Sequence, residues 1–133
     1  MGVPGAAGRT LYTLYLPVHG ADGIPISERF VQRIGERVAR YTGGFTLLSP
    51  GLGMWIDAAG EVCRDLVTPL VAVAAAGPES ERFFARLAAD LAVELQQREV
   101  FIHAIPAAVV VPDAATPAPA VLAPLAARSV PRV

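Results

Sequence analysis

The chain has 133 residues, a formal net charge of −1 and 53% apolar residues, enough for one domain to bury a core without disulfides or a structural metal. Its one cysteine excludes an intramolecular disulfide and a thiolate metal cluster, and its 11 basic residues are all arginine, with no lysine, which is the residue usage of a GC-rich genome. With no basic excess there is no polyanion-binding surface of ordinary strength, so nucleic acid is not an expected partner.

Residues 1–10 are small and glycine-rich and lack the apolar centre of a signal peptide, so they are expected to be a flexible leader. Apolar runs such as Leu66 to Ala76 stop well short of the roughly 20 residues that span a bilayer. A soluble, cytoplasmic protein without a membrane span is the expectation. The apolar fraction also exceeds what one small core needs, which points to oligomerisation.

Leu11 to Val18 alternates as a strand, with Tyr12, Leu14 and Leu16 on one face and Leu11, Thr13 and Tyr15 on the other. His19 to Ile26 reads as a loop. Ser27 is placed to cap a helix over Glu28 to Tyr41, whose Phe30, Val31, Ile34, Val38 and Tyr41 form one apolar stripe. Its Arg29, Arg33, Glu36, Arg37 and Arg40 make a solvated face. Gly43 and Gly44 then end the helix, because glycine takes the left-handed conformation without a Cβ penalty.

Phe45 to Leu48 suits a strand, bulged or broken near Pro50, and Met54 to Ile56 resumes it. Asp57 to Gly60 supplies a four-residue hairpin turn and Val62 to Ala75 the returning strand, with a kink or an unpaired edge position at Pro69. Gly77 to Ser80 opens a second helix running to about Gln97, with Phe84, Leu87, Ala88, Leu91, Ala92 and Leu95 inward and Arg86 paired with Asp90 four residues on. Glu99 to Val111 is a last strand.

The order β, α, β, β, α, β, with right-handed crossovers, predicts a ferredoxin-like α+β sandwich over residues 11–111: a four-stranded antiparallel sheet with both helices on one face. The other face is left without a cover, and a second copy packing sheet to sheet is the simplest solution. Residues 112–133 are rich in proline and alanine and have no periodicity. They read as a disordered tail or as a docking peptide anchored by Val121, Leu122, Leu125 and Val130.

The segments LYTLYLPV, ERFVQRIGERVARYTGGFT, GMWIDAAGEVCRDLVTPLVAV and ERFFARLAADLAVELQQREVFIHAI together resemble a family of small uncharacterised bacterial proteins. That family has a helix ending in a Gly-Gly-x-Thr sequence, a Trp before a turn, a Gly and an acidic residue in the returning strand, and a Gln-rich exit from the second helix. Gly43, Gly44, Thr46, Trp55, Gly60, Asp65 and Gln97 stand at the matching places. The resemblance spans about residues 11–111 and implies the fold, not an activity.

No dinucleotide fingerprint, P-loop, paired-cysteine or H-E-x-x-H motif occurs, so no cofactor or metal is expected. Among single residues, His103, Asp65, Arg64 and Tyr15 are the candidates for acid/base or pocket chemistry, with His19 a loop histidine that joins them only if the strands bring it there. Trp55 reads as a core or interface anchor and Cys63 as a small packed residue. The leading functional expectation is a non-enzymatic oligomeric interaction module, binding itself or a protein partner through its apolar sheet face or its tail. The alternative is a small-molecule enzyme or ligand binder of the dimeric α+β-barrel type, with a pocket on the sheet. An RNA-binding use of the sheet lacks the basic residues that phosphates require.

Overall fold

A computed structural model describes residues 8–97 and 100–110. The elements are β1 (Arg9–Pro17), α1 (Glu28–Thr42), β2 (Thr46–Leu47), β3 (Gly51–Ile56), β4 (Val62–Ala75), α2 (Pro78–Glu94) and β5 (Ile102–Ala107). All pairings are antiparallel: β1 lies between β4 and β5, and both β2 and β3 pair with the far edge of β4. The fold class is α+β.

Among the described residues five strands stand where four were expected, because the segment around Pro50 is broken into two. Pro69 explains where the break falls. It lies opposite Tyr15 in the β1 register, while its carbonyl accepts the Leu48 N–H at 2.9 Å on the β2 side. Its ring nitrogen, which has no hydrogen, faces that same side, so Leu48 receives no reciprocal bond, and pairing resumes only at Gly51. β4 itself runs unbroken through Pro69.

One core holds the layers together. Tyr12, Leu14 and Leu16 of β1 and Leu70, Ala72 and Ala74 of β4 alternate onto one sheet face, against Ile34 and Val38 of α1 and Phe84, Leu87 and Leu91 of α2. Each fully buried large apolar side chain contributes about 1.5–3 kcal/mol, so this one face fixes where both helices sit. Tyr12 stacks on Phe84 at a centroid distance of 3.9 Å. The helices run antiparallel, for Arg33 pairs with Glu94, Arg37 with Asp90, and Tyr41 stacks on Phe83 and hydrogen-bonds Ser80. Asp90 is thus taken by Arg37 at 2.8 Å, across the helix pair, rather than by Arg86 as the i,i+4 spacing predicts.

The helix ends follow their local chemistry. Ser27 Oγ accepts the Phe30 N–H at 3.1 Å, and Gly43, at φ +97°, closes α1. Gly35, in the middle of α1, has another role: the ring of Phe45 lies where its Cβ would be, which draws the start of β2 against the helix.

Three boundaries differ from the sequence expectation. β1 begins at Arg9, since Arg9 and Thr10 continue both ladders, opposite Ala75 and Ala74 on one side and Ala107 and Pro106 on the other. α2 ends at Glu94 and not near Gln97, with Gln96 at positive φ. β5 runs over Ile102–Ala107, paired with Arg9–Leu14 of β1, while residues 99 and 111 of the expected strand lie outside the described residues. The tail anchors Val121, Leu122, Leu125 and Val130 lie outside the described residues, as do residues 1–7 of the leader. Among the described residues no helix is long and apolar enough to cross a membrane.

Candidate functional site

The helix-free face is built by the odd-numbered residues of β1, β4 and β5, because alternation sends their even neighbours into the core. The β3–β4 turn sets which residues meet there. Asp57 Oδ1 accepts the N–H groups of Ala59 and Glu61 at 2.9 Å each, and Gly60 takes φ +81°. That closed turn places Trp55 opposite Cys63 and Gly53 opposite Asp65. With no side chain on Gly53, the Trp55 ring leans over it, its Cζ3 being 3.9 Å from where a Cβ would stand.

On this face, at the β3–β4 end of the sheet, lies an open cleft of about 520 Å³. It is lined by Tyr15 and Pro17 of β1, Trp55, Ile56, Asp57 and Ala58 of the hairpin, Cys63, Asp65 and Val67 of β4, and Gln97, Val100 and Phe101 from the connection into β5. Three aromatic rings and two carboxylates therefore converge, and none of these lining residues carries a positive charge. Asp57 is committed to its turn, whereas Asp65 is half-buried in the wall and makes no ion pair among the described residues. Such a site favours a ligand with a cationic group beside an apolar or planar part, for the carboxylate attracts the charge and the ring faces attract both.

Tyr15 and His103 are brought together by register alone. Thr13 stands opposite His103, and the Tyr15 N–H donates to the Phe101 carbonyl at 3.1 Å, so Tyr15 and His103 are diagonal neighbours on one face. The Tyr15 hydroxyl and His103 Nδ1 are 3.3 Å apart, with the rings edge-on at 5.1 Å between centroids. His103 is exposed beside the cleft wall that Tyr15 forms, not buried among apolar groups.

Of the remaining candidates, Asp65 and Trp55 lie in the cleft. Arg64 does not: it falls on the opposite face of β4, level with Met54, since successive residues of a strand cannot share a face. His19 is beyond the end of β1, bridged to Pro25 and far along the strand from His103. Among the described residues no three His, Cys, Asp or Glu side chains group to hold a metal ion.

Cys63, Asp57, Gln97 and Phe101 are site residues that the sequence reading assigned to packing, to a turn, to the end of the second helix and to a strand, respectively. The four-residue turn was the usable signal, because it sets Cys63 against Trp55. Cys63 is half-buried, and loss of water around its thiol, then the Asp57 carboxylate 3.8 Å from Sγ and the charge of Glu61, raise its pKa above the ordinary thiol value. The thiol form is favoured there, which suits a packed wall residue better than a nucleophile.

No family model matches the chain, and no curated protein matches it. A solved structure described as a phage SAM lyase in complex with S-methyl-5'-thioadenosine superposes with a TM-score of 0.58 at 12% sequence identity, over 80% of this chain and 86% of that one. At that identity the likeness is one of fold: the α+β architecture of this chain is shared with a small-molecule enzyme.

Proposed function

We propose that this chain is a small-molecule enzyme or ligand binder of ferredoxin-like fold, cytoplasmic, whose site is the cleft on the helix-free face. The broken β2–β3 edge counts in that reading as one strand, which reduces the sheet to the four strands of the ferredoxin-like order. The observation that carries the function is the convergence of Tyr15, Trp55, Asp65 and Phe101 around one concavity that has no cation in its described lining. The ligand is a small cation with a planar or apolar portion. The shared architecture adds support only at the level of fold, and it makes SAM and S-methyl-5'-thioadenosine natural first probes.

Trp55 is the chain's single tryptophan, so its fluorescence reports on the cleft directly. Phenethylamine, neutral phenethyl alcohol, SAM and S-methyl-5'-thioadenosine would be titrated against it. The cationic member of the phenethyl pair is expected to bind more tightly, and Asp65→Asn to reduce that preference by roughly fivefold to tenfold, the size of an ion pair of about 1 kcal/mol at a half-exposed carboxylate. A Trp55 signal unmoved by every probe, or no preference for the cation, defeats the reading.

A second observation favours the interaction reading. Leu52, Met54, Val62 and Leu66, between 43% and 65% exposed, occupy the other face of the β3–β4 hairpin, and Phe101 and Ile105 are more than half exposed on the helix-free face. Apolar surface exposed at both edges of the sheet, on one face at β3 and on the other at β5, is what a homo-oligomer covers, and membership in the family of small bacterial proteins described above fits either reading. Light scattering of the full chain at several concentrations tests it: a monomer throughout removes self-association.

A further inference from the structure

Tyr15 and His103 form a pair that the binding argument above does not use, and the inference drawn from it rests on that cleft reading. The two residues are 88 positions apart in sequence and are joined only through the β1–β5 register, with the phenol oxygen 3.3 Å from Nδ1. Tyr15 lines the cleft, while His103 stands behind it, exposed to water. The phenol has one proton and the imidazole nitrogen that faces it can either accept or donate, so the hydrogen bond between them can run in two directions.

We propose that this pair determines specificity, with Tyr15 touching the ligand and His103 acting as a positioning residue that sets whether the hydroxyl accepts or donates. With imidazole neutral and its proton on Nε2, Nδ1 accepts the phenol O–H, and the phenol oxygen turns its lone pairs to the cleft. When water supplies one proton to the imidazole, Nδ1–H donates to the phenol oxygen and the phenol O–H points at the ligand. No ligand bond is made or broken. The neutral pair selects ligands with an N–H or O–H donor beside their cationic charge, such as primary ammonium groups. The protonated pair favours ligands that present an acceptor. Histidine is suited to this because each ring nitrogen can either carry a proton and donate or lack one and accept.

The test compares phenethylamine, whose ammonium donates, with N,N,N-trimethylphenethylammonium, whose charge is the same but which has no donor. Both are titrated by Trp55 fluorescence between pH 5.5 and 8. Among the described residues the other titratable or charged groups on this face are Asp65 and Cys63 of β4, Asp57 of the hairpin turn and Arg9 at the far end of β1, and no helix packs there. The Coulomb part of their charges, and of that of His103 itself, acts on both cations alike and cancels in the ratio of the two affinities. The hydrogen bond that only the primary ammonium can make to Asp65 is common to the native chain and His103→Gln and is removed by comparing them. The preference for the primary ammonium is expected to grow by about threefold to tenfold as the imidazole loses its proton, the size of one net hydrogen bond. Tyr15→Phe and His103→Gln should each flatten that profile, and His19→Gln, away from the cleft, should leave it unchanged. A flat ratio in the native chain with both probes bound overturns the pair while leaving the cleft intact. A profile that persists in Tyr15→Phe does the same. Binding of neither probe overturns the cleft reading and this inference together.

Discussion

Gly35→Ala is predicted to change sign with its surroundings. In an exposed helix interior, alanine in place of glycine stabilises by about 1 kcal/mol, because the unfolded chain loses less backbone freedom on folding. At Gly35 the new methyl would sit 2.7 Å from Cε1 and 2.9 Å from Cε2 of Phe45, closer than carbon atoms approach. The ring must swing out. Phe45 is 37% exposed, so roughly two thirds of its side chain is covered, and uncovering it costs about 1–2 kcal/mol on the scale for a large apolar group. The gain and the loss nearly offset, and Gly35→Ala alone is expected to be neutral or destabilising by up to about 1 kcal/mol. In a Phe45→Ala background the obstruction is absent, and the same change should stabilise by about 1 kcal/mol. Urea denaturation of the four members of this double-mutant cycle measures the coupling directly, with about 1–2 kcal/mol expected. A coupling near zero, with Gly35→Ala stabilising the native background as fully as the Phe45→Ala one, would refute the contact between α1 and the start of β2. Because β2 leads into β3, that contact also anchors the strand that carries Trp55 to the cleft.

Two further predictions concern titration. Tyr12 is buried against Phe84, and burial first, then the charge of Glu81 and the nearby Tyr41, raise its phenol above its ordinary value. A group whose folded pKa is raised contributes stability that is complete below the unfolded value, near 10, and is lost as pH rises through the folded value. The urea midpoint should therefore fall from about pH 10 upward, and less steeply in Tyr12→Phe; equal slopes in the two proteins would remove Tyr12 as the cause. Cys63 should react slowly with iodoacetamide at neutral pH, with a rate midpoint above that of an ordinary thiol, and Glu61→Gln should lower that midpoint while leaving the Asp57 turn in place. A Cys63 that alkylates with the profile of a free thiol contradicts the carboxylate environment described for it.

Much of the architecture was legible before the structure, and for local reasons. Ser27 and Gly43 mark the ends of α1 through hydrogen bonds and backbone geometry that involve only near neighbours. The alternation of Tyr12, Leu14 and Leu16 and the stripe of Phe84, Leu87 and Leu91 name the core, since burial follows the period of each element. The interruption at Pro50 and the turn at Asp57 to Gly60 were equally local. What the sequence by itself determined was thus which faces are apolar and where the chain turns.

The tertiary structure decided what meets across strands. Asp90 reaches Arg37 and not Arg86 because α2 lies antiparallel beside α1, a closeness that helical spacing within α2 cannot express. Pro69 meets the gap between β2 and β3 because two strands share one edge of β4. Tyr15 finds His103, and Asp65 finds Trp55, Tyr15 and Phe101, through registers set by distant pairings, and a shift of one residue in either register would have sent each side chain to the other face. Periodicity assigns a residue to a face; only the pairing of strands assigns it neighbours, and the cleft is made of neighbours.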